Sequence, residues 1–356
     1  MSKQSRMEPR EREERIPSIV GPIPEPGGEP GAAEPERPAG PAKAARWERI
    51  PVDDYDNLVD GSAIEGRSGN YLFTVGNVGS GKSTIQSSLI HRLWSDSRIL
   101  FEYATTDGNP AHDAYLNGWV QNIGNGYFPE RTQAGRVREF TVRFGQSKRP
   151  SLALSFIEIA GEDIRTIVPT GNDSNGAPPR LNEYLERYLK EPDIRKRFLF
   201  VSDGSLNRTG AQREGAMYSE DILFDTLLRY LLGSSGAGLK RVEALFVAAK
   251  WDQVKSDYRS ERHYFRANFP QTFGTVASTS RIRASFMPFS VGDVVVESPT
   301  ASGGSVARIV RKDSKYVDTL ISWIYQSFTQ RRLVGHTKVR RTWWDRIKAF
   351  FARLGG

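Results

Sequence analysis

Cysteine is absent from the 356 residues. The chain therefore has neither disulfide bonds nor thiolate metal sites, which fits a reducing compartment. Long apolar runs are missing too, because the best of them, Ala244–Ala249, has the length of a buried strand and not of a membrane span. The first twenty residues alternate Glu and Arg without an apolar stretch, so we expect no secretory signal there. These absences predict a soluble cytoplasmic protein.

The positive charge of the chain is concentrated at its C-terminus. The formal net charge is +8, while residues 331–356 hold eight Lys or Arg and the single acid Asp345. The remaining chain is therefore close to neutral. This distribution makes nucleic acid an unlikely partner and favours a globular domain with a basic tail.

Composition divides the chain into three parts. Residues 1–49 hold nine of the twenty prolines, with many Glu and Arg and no aromatic residue before Trp47. Such a segment cannot bury enough apolar surface to offset its ordering entropy, so we predict a disordered tail, with a Pro-rich docking ligand as the alternative. Residues 50–330 are predicted to form one folded domain, and residues 331–356 a basic amphipathic helix.

Strands and helices alternate along the domain. Apolar strands are predicted at Tyr71–Val75, Glu139–Phe144, Leu152–Ile159, Phe198–Val201, Val242–Ala248 and Ser285–Phe289. Amphipathic helices are predicted at Ser83–Leu93, Leu181–Leu189, Met217–Leu232, Tyr258–Asn268 and Ser314–Phe328. The alternation predicts an α/β fold of three layers, a mostly parallel sheet with helices on both faces. Two long irregular insertions are predicted, at Tyr103–Gly135 and at Asp293–Arg311.

A glycine-rich loop with the pattern G-x-x-x-x-G-K-S lies between the first predicted strand and the first predicted helix, and this arrangement predicts a P-loop NTPase fold. Glycines let such a loop turn its backbone N–H groups towards phosphate oxygens, and the positive end of the helix dipole faces the same oxygens. Lys82 is predicted to neutralise the β- and γ-phosphates, and Ser83 to ligate Mg²⁺. The residues predicted to bind the nucleotide here are Gly76, Asn77, Val78, Gly79, Ser80, Gly81, Lys82, Ser83 and Thr84.

A second set of candidates follows the strand Leu152–Ile159, where residues 158–163 read EIAGED. A carboxylate at the end of a buried strand needs a partner such as hydrated Mg²⁺, so Glu158 is predicted to be a metal ligand. Gly161 can place its N–H near a γ-phosphate, and the run that begins at Glu162 can respond to that phosphate. The alternative is a simple helix start, in which Glu162 and Asp163 favour the helix dipole.

A third set follows the strand Leu245–Ala249, which ends in Lys-x-Asp at Lys250 and Asp252. Asp252 can accept hydrogen bonds from N1 and N2 of guanine, which adenine cannot offer, while the Lys250 stem covers the base. After the next strand, backbone N–H groups near Ser290 and Val291 could meet guanine O6. If Asp252 only caps a helix, a P-loop ATPase is the alternative.

Together these segments resemble a Ras-like P-loop GTPase domain, of the group that includes translation factors and signalling GTPases. The match covers roughly residues 71–328, with its motifs in the family's order. Residues 158–161 stand where the family has Asp-x-x-Gly, residues 249–252 where it has Asn/Thr-Lys-x-Asp, and residues 290–292 where it has Ser-Ala-Lys. The resemblance implies a switch that binds GTP and GDP, hydrolyses GTP with Mg²⁺ and reports its state to a protein partner.

The resemblance also implies roles for single residues. Thr132 is the best match for the switch I threonine that ligates Mg²⁺, and Thr141, inside a strand, is a poorer one. Glu162 occupies the place of the glutamine that orients the attacking water, and Lys82 and Gly161 complete the implied catalytic set.

The sequence departs from the family pattern at three positions, Glu158, Ala249 and Glu162. Glu158 is one methylene longer than the family's Asp, and Ala249 cannot make the tethering bond of the family's Asn. The glutamates at 158 and 162 also suggest a non-hydrolysing, nucleotide-dependent scaffold as an alternative. The chain resembles, more loosely, divergent bacterial G domains that accompany multi-protein defence or conflict systems.

The basic tail has the pattern of an amphipathic helix. Its apolar face would hold Trp343, Trp344, Ile347, Phe350, Phe351 and Leu354, and its cations Arg346, Lys348 and Arg353 would lie towards the other face. Such a helix suits an anionic membrane surface, so a peripheral membrane location is one prediction. Packing on the chain's own domain or on a protein partner is the other.

Removal of residues 336–356 is expected to leave nucleotide affinity unchanged, because every nucleotide motif lies upstream. The full chain should sediment with anionic liposomes and be released as salt rises, and Phe350→Asp should weaken that binding. Aggregation or a large loss of thermal stability after truncation would instead mean that the helix packs on the domain.

Overall fold

The computed structural model describes residues 64–104, 110–129, 137–147, 149–159, 164, 166–168, 181–205, 211–234, 236–297 and 306–333. The predicted N-terminal tail and the predicted C-terminal helix therefore lie outside the described residues. Within these ranges, no helix has both the length and the apolar character needed to cross a membrane.

Seven strands form one sheet in the order β2-β3-β4-β1-β5-β6-β7. These strands are β1 (Gly69–Val75), β2 (Leu100–Tyr103), β3 (Val137–Gly145), β4 (Leu152–Ile159), β5 (Ile194–Asp203), β6 (Val242–Ala249) and β7 (Ile282–Pro288). The strands β4, β1, β5, β6 and β7 pair in parallel. Within this seven-stranded sheet, the pairs β2–β3 and β3–β4 are antiparallel. The prediction of a mostly parallel sheet is therefore confirmed.

Helices cover both faces of the sheet and complete the three layers. The helices are α1 (Lys82–Ser95), α2 (Pro110–Gly124), α3 (Glu183–Lys190), α4 (Ala211–Leu232), α5 (Glu261–Asn268), α6 (Pro270–Ser278) and α7 (Ser314–Thr329). One apolar core joins one sheet face to side chains of α3, α4 and α5, and a second core joins the other face to α1, α2 and α7.

Alternation along the central strands divides their side chains between the two cores. On β5, Phe198 and Phe200 enter the first core, while Leu199 and Val201 enter the second. Phe200 also stacks on Phe246 of β6 with 4.9 Å between ring centroids. Because both faces are covered, these strands read as continuous apolar runs, which is typical of parallel sheets.

The two insertions were predicted to be irregular. That prediction is wrong, because both contain regular secondary structure. The first holds α2, which packs on α1 through the second core. The second forms an antiparallel hairpin of β8 (Gly292–Glu297) and β9 (Val306–Lys312). The short strand β2 and the helix α6 are additional elements that the sequence patterns did not predict.

Strands β5 and β6 approach each other closely just beyond their ends. A Cβ atom at Gly204 would lie 2.5 Å from the carbonyl oxygen of Ala249, whereas one at Gly274 would meet nothing within 4 Å. Gly204→Ala is therefore expected to destabilise the fold by about 1–3 kcal/mol, through forced backbone movement. Gly274→Ala, in α6, is the matched control and should be neutral or stabilising by up to about 1 kcal/mol. Urea denaturation of both variants measures the difference, and equal stabilities would contradict the close approach.

Candidate nucleotide-binding site

The candidate site lies along one edge of the sheet. Since β4, β1, β5, β6 and β7 are parallel, their carboxyl ends meet at this edge. Ligands of open α/β sheets bind outside the carboxyl ends of the strands. All three predicted sets of site residues follow such strand ends.

The phosphate loop connects β1 to α1 and packs tightly on β5. A Cβ atom at Gly76 would lie 2.4 Å from the carbonyl oxygen of Val201, so only glycine fits there. Gly79 and Gly81 have φ of 77° and 98°, in the left-handed region that favours glycine. No side chain among the described residues caps the N-terminus of α1 at Gly81. Its first backbone N–H groups are therefore suited to bind an anion.

Lys82 lies folded over this loop and is nearly buried. Its Nζ donates to the carbonyl oxygens of Gly76 and Asn77 at 2.8 and 2.9 Å. These bonds hold the ammonium group at the centre of the loop. A lysine ammonium has three donors and a flexible stem, so the same group can reach phosphate oxygens placed in the loop.

The predicted metal ligands Ser83 and Glu158 are in direct contact. The Ser83 hydroxyl donates to Oε1 of Glu158 at 2.9 Å, and Glu158 is buried at the end of β4. Tyr115 of α2 donates to the second oxygen, Oε2, at 3.4 Å. Burial raises the pKa of the Tyr115 phenol, and the Glu158 charge adds to the rise. Tyr115 is therefore a neutral donor at every physiological pH.

A buried arginine completes this cluster. Arg138 stands opposite Glu158 in the β3–β4 register, and its NH1 lies 3.7 Å from Oε2 of Glu158. The same nitrogen donates to the Tyr115 hydroxyl at 3.0 Å. A carboxylate buried to this extent needs such partners, because an unpaired buried charge is costly.

The Ser83–Glu158 pair fits a magnesium ion. Mg²⁺ in nucleotide sites takes one or two protein oxygens and fills its shell with water and phosphate oxygens. No group of three or more His, Asp or Glu that could hold a metal by itself occurs within the described ranges. A hydroxyl and a carboxylate 2.9 Å apart beside the phosphate loop are the donor set that shared coordination requires.

At the other end of the site, Asp252 and Ser290 lie together. The Ser290 hydroxyl donates to Oδ1 of Asp252 at 2.7 Å. Backbone bonds tie the two loops to each other, since Trp251 N–H donates to the Phe289 carbonyl at 3.0 Å. Asp252 itself is exposed and available to a ligand. The structure therefore brings together two residues of the predicted base site that are distant in sequence.

Lys250 forms a salt bridge at this end of the site, and the covering of the base by its stem stays a prediction. Its Nζ donates to Oδ2 of Asp203, at the end of β5, at 2.6 Å. Asp203 is the last residue of an apolar strand. A carboxylate at the end of such a strand is a signal by which the sequence could have identified Asp203 as a site residue. Val291 lies in the same loop as Ser290, and its carbonyl accepts from Asp313 N–H at 3.1 Å.

Three predicted site residues, Thr132, Gly161 and Glu162, lie outside the described residues. Four residues of the site were not predicted: Tyr115, Arg138, Asp203 and Glu220. Nothing in the sequence singles out Arg138 and Glu220, which have charged neighbours in sequence, or distinguishes Tyr115 from a core tyrosine.

Glu220 is a fully buried carboxyl group behind the phosphate loop, on α4. Neither of its oxygens forms a hydrogen bond within the described part of the chain. Burial raises the pKa of this carboxyl from 4.5 to about 8, and the Asp203 charge adds to the rise. The polar Ser202 hydroxyl and Asn77 backbone, which are near the carboxyl, and the Lys82 charge lower this pKa in part. At neutral pH the group is therefore mainly protonated and neutral.

The fold and this site define a P-loop GTPase domain. The family model of Double-GTPase 1 matches residues 73–291, more than half of the chain. The chain belongs to this family, and its membership supports GTP binding.

Two solved structures are similar to parts of this chain. One chain of the signal recognition particle receptor SRb-GTP/SRX complex from Chaetomium thermophilum is 15% identical, with a TM-score of 0.32. The match covers 66% of this chain and 95% of that one. The GTPase-like domain of S. cerevisiae Ski7, bound to GDP and inorganic phosphate, is 13% identical, with a TM-score of 0.30. There the match covers 64% of this chain and 44% of the other. The search of curated proteins gave no significant match.

Glu220→Gln is expected to remove a pH-dependent loss of stability. Below about pH 4.5 the carboxyl is protonated in both the folded and the unfolded chain, so it costs nothing. As pH rises towards 8, the unfolded chain releases this proton while the folded chain keeps it, which lowers the free energy of unfolding. The melting temperature of the unmodified protein should therefore fall relative to that of Glu220→Gln between pH 5 and pH 8.

The exposed substitution Glu183→Gln is the control for this series, because it makes the same chemical change at the surface of α3. Calorimetric melting at several pH values measures both variants. A constant difference between Glu220→Gln and the unmodified protein would show that the carboxyl is not held neutral.

Proposed function

We propose that this protein binds GTP at the carboxyl edge of the sheet and hydrolyses it to GDP with Mg²⁺, as a nucleotide-dependent switch. The observation that carries the proposal is the arrangement of two groups of residues at one edge of the sheet. Lys82 and the Ser83–Glu158 pair lie where phosphates and Mg²⁺ would bind, and the Asp252–Ser290 pair lies where a guanine base would bind.

Each end of the site has a distinct chemical task in this proposal. The phosphate loop and the N-terminus of α1 offer backbone N–H groups to the phosphates, and Lys82 adds a positive charge. Ser83 and Glu158 would hold Mg²⁺, which supplies further positive charge to the phosphate oxygens during phosphoryl transfer. Oδ1 of Asp252 is already oriented by Ser290, and such a carboxylate accepts from N1 and N2 of guanine.

Residues outside the described ranges take the remaining roles in the proposal. Gly161 would donate its N–H to the γ-phosphate, Glu162 would orient the attacking water, and Thr132 would contribute to Mg²⁺ binding. A protein partner that reads the nucleotide state also belongs to the proposal. The proposal also includes an anionic membrane surface as a binding partner of the basic tail, and a cytoplasmic location for the protein.

A non-hydrolysing nucleotide-dependent scaffold is the second candidate, and one observation favours it. Arg138 lies 3.7 Å from the Glu158 carboxylate and partly offsets its charge. A carboxylate that is already paired attracts a metal ion less strongly. Release of GDP in a single-turnover assay with excess protein would exclude this candidate, and stable bound GTP over hours would favour it.

Lys82→Ala is expected to weaken GTP binding about a hundredfold or more, because it removes the charge that faces the β- and γ-phosphates. Lys240→Ala removes an exposed lysine from a distant loop and should leave the affinity unchanged. Calorimetric titration with GTP, GDP and ATP, with and without Mg²⁺, measures both variants. Equal GTP affinity in a well-folded Lys82→Ala protein would refute the phosphate-loop assignment.

Asp252→Asn is expected to weaken GTP about tenfold or more and to improve binding of xanthosine triphosphate. The new amide presents a donor where xanthine offers an oxygen and guanine offers a donor. Asp257→Asn, an exposed aspartate in the same loop region, is the matched control. A preference of the unmodified protein for ATP over GTP would contradict the GTPase proposal and favour a P-loop ATPase.

A further inference from the structure

Asp203 and Lys250 form a salt bridge between the ends of two neighbouring strands. Asp203 stands opposite Ala249 in the β5–β6 register, and its Oδ2 lies 2.6 Å from Nζ of Lys250. The other oxygen, Oδ1, accepts from the backbone N–H and the hydroxyl of Ser205 at 2.9 and 2.6 Å. The Asp203 side chain is only 11% exposed, so solvent screens this pair less than a surface pair.

The backbone of Lys250 needs such support. Its φ of 54° and ψ of 38° place it in the left-handed region, which is unfavourable for a residue other than glycine. The turn that this conformation creates leads directly to Asp252. A contact that fixes Lys250 therefore also fixes the direction from which Asp252 faces a base.

Ala249 gives the turn no polar connection to the phosphate loop. A Cβ atom added at Gly81 would lie 3.7 Å from the methyl group of Ala249, so the side chain that Ala249 presents towards the phosphate loop is apolar. The Ras-like pattern has Asn or Thr in this position, with a side chain that can form a tethering hydrogen bond. In this chain Lys250 connects the turn to β5, in addition to the backbone bond from Trp251 to Phe289.

We propose that Asp203 is a positioning residue for guanine recognition. By holding Lys250, it fixes the turn that presents Asp252, and it replaces the tether that Ala249 cannot form. The inference deepens the proposed function and rests on it, since it concerns the base end of the same site.

Asp203→Asn tests this role with little change in shape. The amide oxygen can still accept from Ser205, while the charge that attracts Lys250 is lost. Binding of GTP and of inosine triphosphate is measured by calorimetry, because inosine lacks the 2-amino group that Asp252 is expected to bind. We expect GTP to bind about tenfold more weakly in the variant, and the preference for GTP over inosine triphosphate to shrink.

Asp225→Asn is the matched control. Asp225 is similarly buried and pairs with Arg229 at 2.7 Å, but both residues belong to α4 and neither follows a strand end. This control should keep the preference for GTP. If Asp203→Asn weakens both nucleotides equally, or changes neither affinity, the positioning role is refuted.

Two further variants separate this role from a general effect on folding. Lys250→Met breaks the same salt bridge without touching β5 and should reduce the preference for GTP in the same way.

Adding Ala249→Asn to Asp203→Asn should restore part of the preference, since it supplies the missing tether. A double variant no better than Asp203→Asn would refute the replacement. If the unmodified protein does not bind guanine nucleotides, the proposed function itself is refuted. That result is distinct from every outcome described for the variants.

Discussion

Parallel pairing of five strands is the constraint on which this site depends. Parallel strands end at the same edge of a sheet, so Gly76, Glu158, Asp203 and Lys250 come together although they are far apart in sequence. The pairing needs apolar helices on both faces, and the two cores provide them. Close contacts at the edge, such as that of Gly76 with Val201, then fix the loops in place.

Several buried ionisable groups lie at this edge. Lys82, Arg138, Glu158, Asp203 and Glu220 are all buried there. Four of these groups have charged or strongly polar partners, and Glu220 instead keeps its proton because burial raises its pKa. Perturbed and paired ionisable groups of this kind are concentrated at functional sites, where the cost of burying charge is tolerated.

Sequence patterns predicted the central elements well because those elements are strongly periodic or strongly apolar. The strands β1, β4 and β6 and the helices α1 and α7 lie within a few residues of their predicted bounds. The strand β2 was missed because its four residues, two of them exposed, have no apolar run. The hairpin β8–β9 leaves Val294, Val295 and Val296 largely exposed, so its pattern gave no sign of a buried face.

By itself, the sequence determined the phosphate loop, the order of the motifs and the alternation that requires a parallel sheet. These features depend on residue types at fixed local spacing, such as glycines in a tight loop and lysine at its end. Only the tertiary structure decided which charged groups meet, because Arg138 reaches Glu158 through an antiparallel register and Asp203 reaches Lys250 through a parallel one. No local pattern records such pairings, since each depends on how separate strands align side by side.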